Sequence, residues 1–517
     1  MTRVQPSAPA YRKSGELSHL RSEPGLRRVL FVNANETSRP FRVAPLGLAF
    51  VATATERAGH SVRFLDLPLT ARGKRQYHSC LRDWQPDYLA LGIRNLDNSD
   101  YHALETYLEG PAMLVREARR LAPRTRVIIG GPAGTVEPDR VASVTGCDYL
   151  ILGEGEESLP QLIARLDAGE AIPRIVSAAG EGAPHRVARP EQLPAPALYR
   201  WVEEFAPYLR GDAGYPVQTK RGCPLKCRYC TYGRIEGIRY RFLSPEAIGN
   251  EIEGALGCGI RDFEFVDSTF NLPVHHALKV LRMLRTRKLH ANYVGTGLNP
   301  LKLPNELLSI MRELGFRSVI LTAESASDTM LASYAKNYQR DRLFAAAEAL
   351  RRHDLRALWV FLLGGPGETP ETVEETLSFI HQSIPSPNAA YITSGIRVYP
   401  GSPIGDDLAR GRLSVASLRR RIEAKDVPFF YSHLTPPAWL ETRLRQFQHA
   451  HPQVMLSCEG HGWLTQAALS VMQWLPVRKP YWQHLPALNA LRQWLRWPGR
   501  STHWPNSKRN SLTQDLS

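Results

Sequence analysis

Arg221-Gly222-Cys223-Pro224-Leu225-Lys226-Cys227-Arg228-Tyr229-Cys230 carries three thiols at spacing C-x3-C-x2-C, directly after a strand-like run, Pro216 to Thr219. Thiolates are soft ligands suited to iron–sulfur clusters or zinc, but a closed structural zinc site takes four protein ligands. No fourth cysteine or nearby histidine offers itself. Three thiolates on a cubane cluster leave one iron without a protein ligand, and a substrate's amine and carboxylate can chelate that iron. The stretch therefore reads as a cluster site at the C-terminal end of a strand.

Working downstream, Ser244-Pro245-Glu246 is a helix start, and strands are expected at Asp262 to Val266, Asn292 to Thr296, Ser318 to Thr322, Ala357 to Leu363 and Tyr391 to Val398. With Pro216 to Thr219 these make six βα units. They predict a partial (β/α)6 barrel whose chemistry lies at the C-terminal ends of its strands.

Upstream, Val29 to Val32, Ser61 to Leu65, Tyr88 to Ile93, Arg126 to Ile129 and Tyr149 to Leu152 read as strands, with an apolar helix from Pro45 to Ala58 closed by Gly59. Gly130-Gly131 and Gly153-Glu154-Gly155 fall at strand ends. The alternation predicts an α/β, Rossmann-like, doubly wound parallel sheet with its ligand edge at the strand C-termini. No Gly-x-Gly-x-x-Gly follows the first strand, so a nicotinamide domain is not expected.

The expected division is a flexible leader over 1–27, a Rossmann-like domain over 28–167, a linker over 168–212, the partial barrel over 213–410, a mostly helical region over 411–498, and a disordered tail over 499–517. In the helical region Ala438 to Gln448 and Leu464 to Trp474 carry the pattern, and Ala487 to Trp497 is read as packing on the barrel.

Bulk properties fit an enzyme of several domains. The chain has 517 residues, 43% hydrophobic and 22% charged. No apolar run reaches the roughly 20 residues of a membrane span, and the N-terminus lacks a signal-peptide core, so a cytoplasmic protein without a transmembrane segment is expected. Seven cysteines, three of them within eight residues, suit a reducing compartment. Cys80, Cys147, Cys258 and Cys458 stand apart and read as small buried hydrophobes. The net charge of +15 is dispersed and no nucleic-acid module appears, so a nucleic-acid partner is not expected.

The cysteine motif resembles that of the radical S-adenosylmethionine (SAM) superfamily. The resemblance implies a [4Fe-4S] cluster on Cys223, Cys227 and Cys230, whose open iron binds the amino acid end of SAM and reductively cleaves its sulfonium. It extends along the barrel in order. Asp267 and Ser268, in Phe265 to Asn271, stand where the family contacts the SAM amino group. Asn299-Pro300 follows the third strand. Glu324 and Ser325, closing the fourth, are implied to meet the ribose or carboxylate. Gly364 and Gly365, closing the fifth, let the backbone approach a flat ligand such as adenine. Arg397 to Ser402 closes the sixth.

A Rossmann domain ahead of such a barrel resembles the cobalamin-binding branch of the superfamily, and the likeness covers roughly residues 28–410. Pro45 to Leu48, Gly59-His60, Asp66, Gly130-Gly131 and Gly153 to Glu157 stand where that branch has similar residues. The resemblance implies a slot for the corrin's nucleotide tail along Gly130 and Gly131, with Arg94 and Asn95, in Gly92 to Asn98, at the neighbouring strand end and Gly153 and Glu154 beyond. One departure matters: the Asp-x-His-x-x-Gly motif that supplies an axial histidine in many cobalamin proteins is missing, and Asn33 to Thr37 stands in its place. His102 is read as a loop histidine, and Arg94 as the residue nearest the lower face of cobalt, or as a partner of Asp97 or a phosphate.

The resemblance implies a cobalamin-dependent radical SAM methyltransferase that moves a methyl group from SAM by way of methylcobalamin to an unactivated carbon of a small-molecule precursor. An external electron donor such as flavodoxin or ferredoxin would serve it. A radical oxidative cyclase or ring-rearranging enzyme keeps the same fold, and a cobalamin or cluster sensor is the non-catalytic alternative. A tRNA methylthiolating enzyme needs three further cluster cysteines, and only Cys80 and Cys147 precede the barrel.

Overall fold

The computed structural model describes residues 26–35, 42–67, 73–178, 182–209, 212–421, 424–457, 479–484 and 486–487. Strands β1 (Arg28–Asn33), β2 (Ser61–Asp66), β3 (Tyr88–Gly92), β4 (Arg126–Gly130), β5 (Tyr149–Ile151) and β6 (Ile175–Val176) form one parallel sheet in the order β2-β1-β3-β4-β5-β6. The chain reverses direction across the sheet between β1 and β3, and that switch point opens a crevice beyond the strand C-termini. Both faces are covered. Leu30 and Val32 pack into one hydrophobic cluster, and Val29 and Phe31 into the other. β6 lies inside the span expected to be linker, so the first domain runs on to Val176.

The second sheet begins with β7 (Tyr215–Val217). The cysteine loop follows, bracketed by the short antiparallel pair β8 (Lys220–Arg221) and β9 (Arg241–Phe242). Then come β10 (Asp262–Phe265), β11 (Asn292–Leu298), β12 (Phe316–Glu324), β13 (Arg356–Leu363) and β14 (Ala389–Ser394), each preceded by a helix. The helix Pro245–Gly257 starts where the sequence places it, with the Ser244 side chain accepting from Ala247 N at 3.0 Å. On β10, Phe263 and Phe265 pack with Tyr293 and Phe316 under the helices, each burial contributing about 1.5–3 kcal/mol, while Glu264 between them faces the barrel interior.

The region after residue 410 is more than helical. β15 (Ile396–Arg397), β16 (Leu418–Arg421) and β17 (Ala424–Phe430) make an antiparallel sheet, and β18 (Val454–Leu456) adds a seventh parallel strand beside β14. The second sheet thus runs β18-β14-β13-β12-β11-β10-β7 and stays open between β7 and β18. The helix expected at 438–448 is present as Pro437–Ala450. The reading of helix over Leu464 to Trp474, and those of the leader before residue 26, of Ala487 to Trp497 beyond 487 and of the tail, lie outside the described residues. No described helix is long and apolar enough to cross a membrane.

Candidate active site

The cysteine loop is shaped by backbone contacts before any ligand enters. Gly222 has φ +85, and a Cβ there would collide with the Arg239 carbonyl. Cys223 N donates to Gly237 O at 2.9 Å, Cys230 N to Cys227 O at 3.1 Å, and Tyr232 N to Cys230 Sγ at 3.4 Å. Cys223 and Cys227 are buried and Cys230 half-buried. Burial pushes all three thiols up, Cys230 to about 12; Cys223 raises Cys227 further, and both raise Cys230. Such thiols stay neutral until a bound metal displaces their protons. Among the described residues no three His, Cys, Asp or Glu side chains form a group that could hold a single metal ion.

Behind the loop lies a buried network that sequence reasoning missed in part. Tyr229 donates to Glu324 Oε1 at 2.5 Å, and Lys336 donates to Glu324 Oε2 at 2.9 Å. Burial by itself lowers an ammonium's pKa, but Glu324 holds Lys336 charged, well above its ordinary value. Lys336 is the cation felt by all three cluster thiols. It stands in a loop without a motif, twelve positions after Glu324, and only the fold brings it here.

Several barrel residues expected to meet SAM also make bonds within the protein. Both Asp267 oxygens are saturated by Thr219 N (2.7 Å), Thr219 Oγ1 (2.6 Å), Lys220 N (3.2 Å) and Lys220 Nζ (3.0 Å). Ser268 Oγ donates to Gly222 O at 3.1 Å, beside Cys223. Ser325, fully buried, bonds Thr376 at 3.0 Å. A Cβ on Gly364 would meet the Tyr431 ring, and one on Gly365 the Tyr334 ring. Asp267 and Ser325 are thus also held by bonds within the protein, and the Cβ sides of Gly364 and Gly365 are covered by aromatic rings.

The open space is elsewhere. A chamber of about 840 Å³ lies between the first sheet's C-terminal edge and the barrel mouth. Arg94, Asn95, Gly130, Gly131, Gly153 and Glu154 line it from one side, and Gln218, Tyr232, Glu236, Glu264 and Thr296 from the other. A Cβ on Gly130 would meet nothing within 4 Å, whereas Gly131, at φ +106, lies with its Cβ position 2.5 Å from Ile93 O. Gly130 is the open cradle; Gly131 is required by the backbone. Gly153, at φ +84, is likewise held against His185.

Buried ion pairs close the seam around this chamber. Burial alone would raise the Glu154 carboxyl, but Arg241 (2.5 Å) and Arg221 (3.2 Å) hold it below the usual range, so its side chain joins the domains at the chamber's edge. Arg221 also pairs with Glu156 at 2.5 Å. Arg397 pairs with Asp97 at 3.0 Å, which removes Asp97 as a partner for Arg94. His102 is not a simple loop histidine: it bridges Glu441 (3.1 Å) and Ser394 (3.1 Å) across the seam. Of the isolated cysteines, Cys80 and Cys147 are buried as expected, Cys258 is exposed against expectation, and Cys458 lies outside the described residues.

The chain matches the B12 binding domain family over residues 34–163 and the Radical SAM superfamily over 217–380. It belongs to the B12-binding radical SAM proteins. This radical SAM chain is 26% identical to an uncharacterised methyltransferase of Pyrococcus horikoshii over 350 residues, covering 65% of this chain and 72% of that one. It is 26% identical to the hopanoid C-3 methylase of Methylococcus capsulatus, covering 60% of this chain and 59% of that one. Its fold is shared with the radical SAM methyltransferase TsrM from Kitasatospora setae, solved with cobalamin and a [4Fe-4S] cluster, at TM-score 0.76 and 20% identity over 91% of this chain and 99% of that one.

The residues present fit the cofactors of a B12-binding radical SAM protein. Three soft thiols in one loop suit a cluster with an open iron, and the glycine-floored chamber at the switch point suits a large planar group. No histidine lines that chamber among the described residues.

Proposed function

We propose that this B12-binding radical SAM protein is a cobalamin-dependent C-methyltransferase acting on an unactivated carbon of a small-molecule precursor. One observation carries the reading: Tyr232 and Glu236, within six residues of Cys230, form a wall of the same chamber that Arg94 and Gly130 line from the first sheet. A single space thus runs from the cluster loop to the corrin side. When bound, the cluster delivers an electron to the SAM sulfonium, and cobalamin carries a methyl group from donor to substrate carbon.

The chain's own residues position and seal. Cys223, Cys227 and Cys230 hold the cluster, and the Tyr229–Glu324–Lys336 network fixes the loop from behind. Gly130 leaves room for the corrin tail. The Arg221, Arg241 and Arg397 pairs keep bulk water from the seam. The relatives named above as methyltransferases support methyl transfer over cyclisation. The reading places the protein in the cytoplasm, divided near the boundaries given above with the first domain extended through Val176. An acidic low-potential carrier of the flavodoxin or ferredoxin kind supplies electrons.

The test is mass balance on anaerobically reconstituted protein given SAM, cobalamin and candidate precursors. Methylated product with S-adenosylhomocysteine supports the reading. 5′-Deoxyadenosine without methyl gain indicates a cyclase or rearranging enzyme, and cofactor binding without turnover indicates a sensor. Alanine at Cys223, Cys227 or Cys230 should abolish the broad visible absorption of the cluster, while the exposed Cys258→Ala should leave it intact.

A further inference from the structure

The acids lining the chamber are of two kinds. Glu154 and Glu156 are paired with arginines. Glu264 is not: its Oε1 accepts from Thr296 Oγ1 at 2.8 Å, and no lysine, arginine or histidine forms an ion pair with it among the described residues. Elsewhere this protein pairs its interior acids with cations, as in Lys220–Asp267, Lys336–Glu324 and Arg397–Asp97. Glu251 and Glu368, which have no such cation, are instead enclosed by three or more donors and face no large cavity. Glu236, on the cluster-loop wall, also lacks an ion pair, but it is held by Gln218 Nε2 at 3.2 Å and Gly222 N at 3.0 Å beside the cysteine loop. Glu264 is the unpaired acid on the barrel-strand wall, desolvated and with open space ahead of it. Burial pushes its pKa up, and Arg94 opposes that only from across the chamber.

The surroundings define what the space accepts. Glu264, Val266, Thr296 and Ile320 come from three successive strands, and Pro216 and Gln218 from β7 and its end. The wall is apolar apart from one carboxyl, one amide and one hydroxyl. A buried carboxylate without a cation is unfavourable, and a ligand cation entering the site relieves it.

We propose that Glu264, supported by Thr296, is the subsite in the barrel mouth that binds a protonated amine of the small-molecule substrate. The ammonium donates to the Glu264 carboxylate, which has only Thr296 and the Gly214 backbone as internal donors, the apolar wall holds the adjoining carbon skeleton, and the carbon to be modified is presented toward Arg94 and the corrin side. This assignment rests on the methyltransferase reading of the same chamber and narrows its substrate to amines.

The probes are three molecules of similar shape: 2-phenylethylamine, 2-phenylethanol and 3-phenylpropionate. Their binding is measured by calorimetry on the full-length, cobalamin-loaded protein. The amine should bind roughly tenfold to a hundredfold tighter than the alcohol, as a charge-assisted hydrogen bond provides, with the carboxylate weakest. Glu264→Gln should erase the amine preference while the absorption spectrum of bound cobalamin is unchanged, and Glu264→Asp should retain part of it. Equal binding of amine and alcohol by the parent protein overturns the proposal without recourse to any variant. So does an amine preference that survives Glu264→Gln, or one abolished by Glu236→Gln instead. Failure of the parent protein to take up cobalamin would count against the methyltransferase reading, whereas cobalamin uptake with no amine preference counts against Glu264 alone.

Discussion

Arg397, from the barrel side, holds Asp97 of the first domain at 3.0 Å, and both side chains are buried. Asp97 also accepts from Tyr399 OH at 3.3 Å and Ser99 N at 2.9 Å. The carboxylate nearest in sequence to Arg94 is therefore taken, and Arg94 lines the chamber with no ion pair among the described residues.

From this arrangement we expect cobalamin to bind without a protein imidazole, with the Arg94 cation on the lower side of the cobalt. Electron paramagnetic resonance of the cobalt(II) form should show no nitrogen splitting from histidine. Arg94→Ala and Arg94→Lys should still bind cobalamin but slow methyl transfer by roughly tenfold, equivalent to about 1.4 kcal/mol of lost stabilisation. Unchanged rates in both variants would remove Arg94 from the mechanism.

Gly130 and Gly131 should respond differently to a bulky side chain. Gly130→Leu adds its side chain to open chamber space, so cobalamin affinity should fall by roughly tenfold to a hundredfold with the urea midpoint nearly unchanged, the scale of an overpacked site at about 1–3 kcal/mol. Gly131→Leu places a side chain at φ +106 against Ile93 O, so the midpoint itself should drop. Equal cobalamin affinity in Gly130→Leu and parent would show that the tail lies elsewhere.

Lys220 and Asp267 form an ion pair whose side chains are 0% and 0% exposed. Lys220→Met leaves a buried carboxylate unpaired and should cost about 3–5 kcal/mol in urea denaturation. The double variant Lys220→Met with Asp267→Asn should recover part of that loss. A double variant as unstable as the single would mean that packing, not charge, is the source.

Burial holds the fully enclosed Glu368 carboxyl up at about 7, against an ordinary value of 4.5, with Thr372, Gly364, Gly365 and Tyr334 donating in opposition. The folded protein thus binds a proton that the unfolded chain releases between these values. Glu368 contributes stability that is fully present below pH 4.5 and is lost as pH rises through about 7. The loss is up to about 3 kcal/mol. Urea midpoints of parent protein should fall over this window, and the Glu368→Gln profile should be flatter there.

The sequence by itself determined the two-domain plan and the cluster. Hydrophobic runs at strand spacing located all six expected barrel strands and the first five strands of the N-terminal sheet, because buried parallel strands must be apolar on both faces. The three thiols were legible because a cluster loop is local: its ligands fall within eight residues. Gly130, Arg94 and Glu154 were placed at the correct sheet edge because strand ends in a doubly wound sheet share one crevice. What each side chain does there was decided only by the tertiary structure. Asp267 is consumed by Lys220, Glu154 by Arg241 and Arg221, and Asp97 by Arg397, partners separated by 47, 87, 67 and 300 positions that no local pattern relates. Lys336 and Glu264 gained their places in the same way. β18 escaped notice because a three-residue edge strand leaves too short an apolar run to be read. Spacing along the chain records which residues share a strand end; pairing between charges, and hence which of them stays open to a ligand, is set by distances that exist only once the two sheets have packed together.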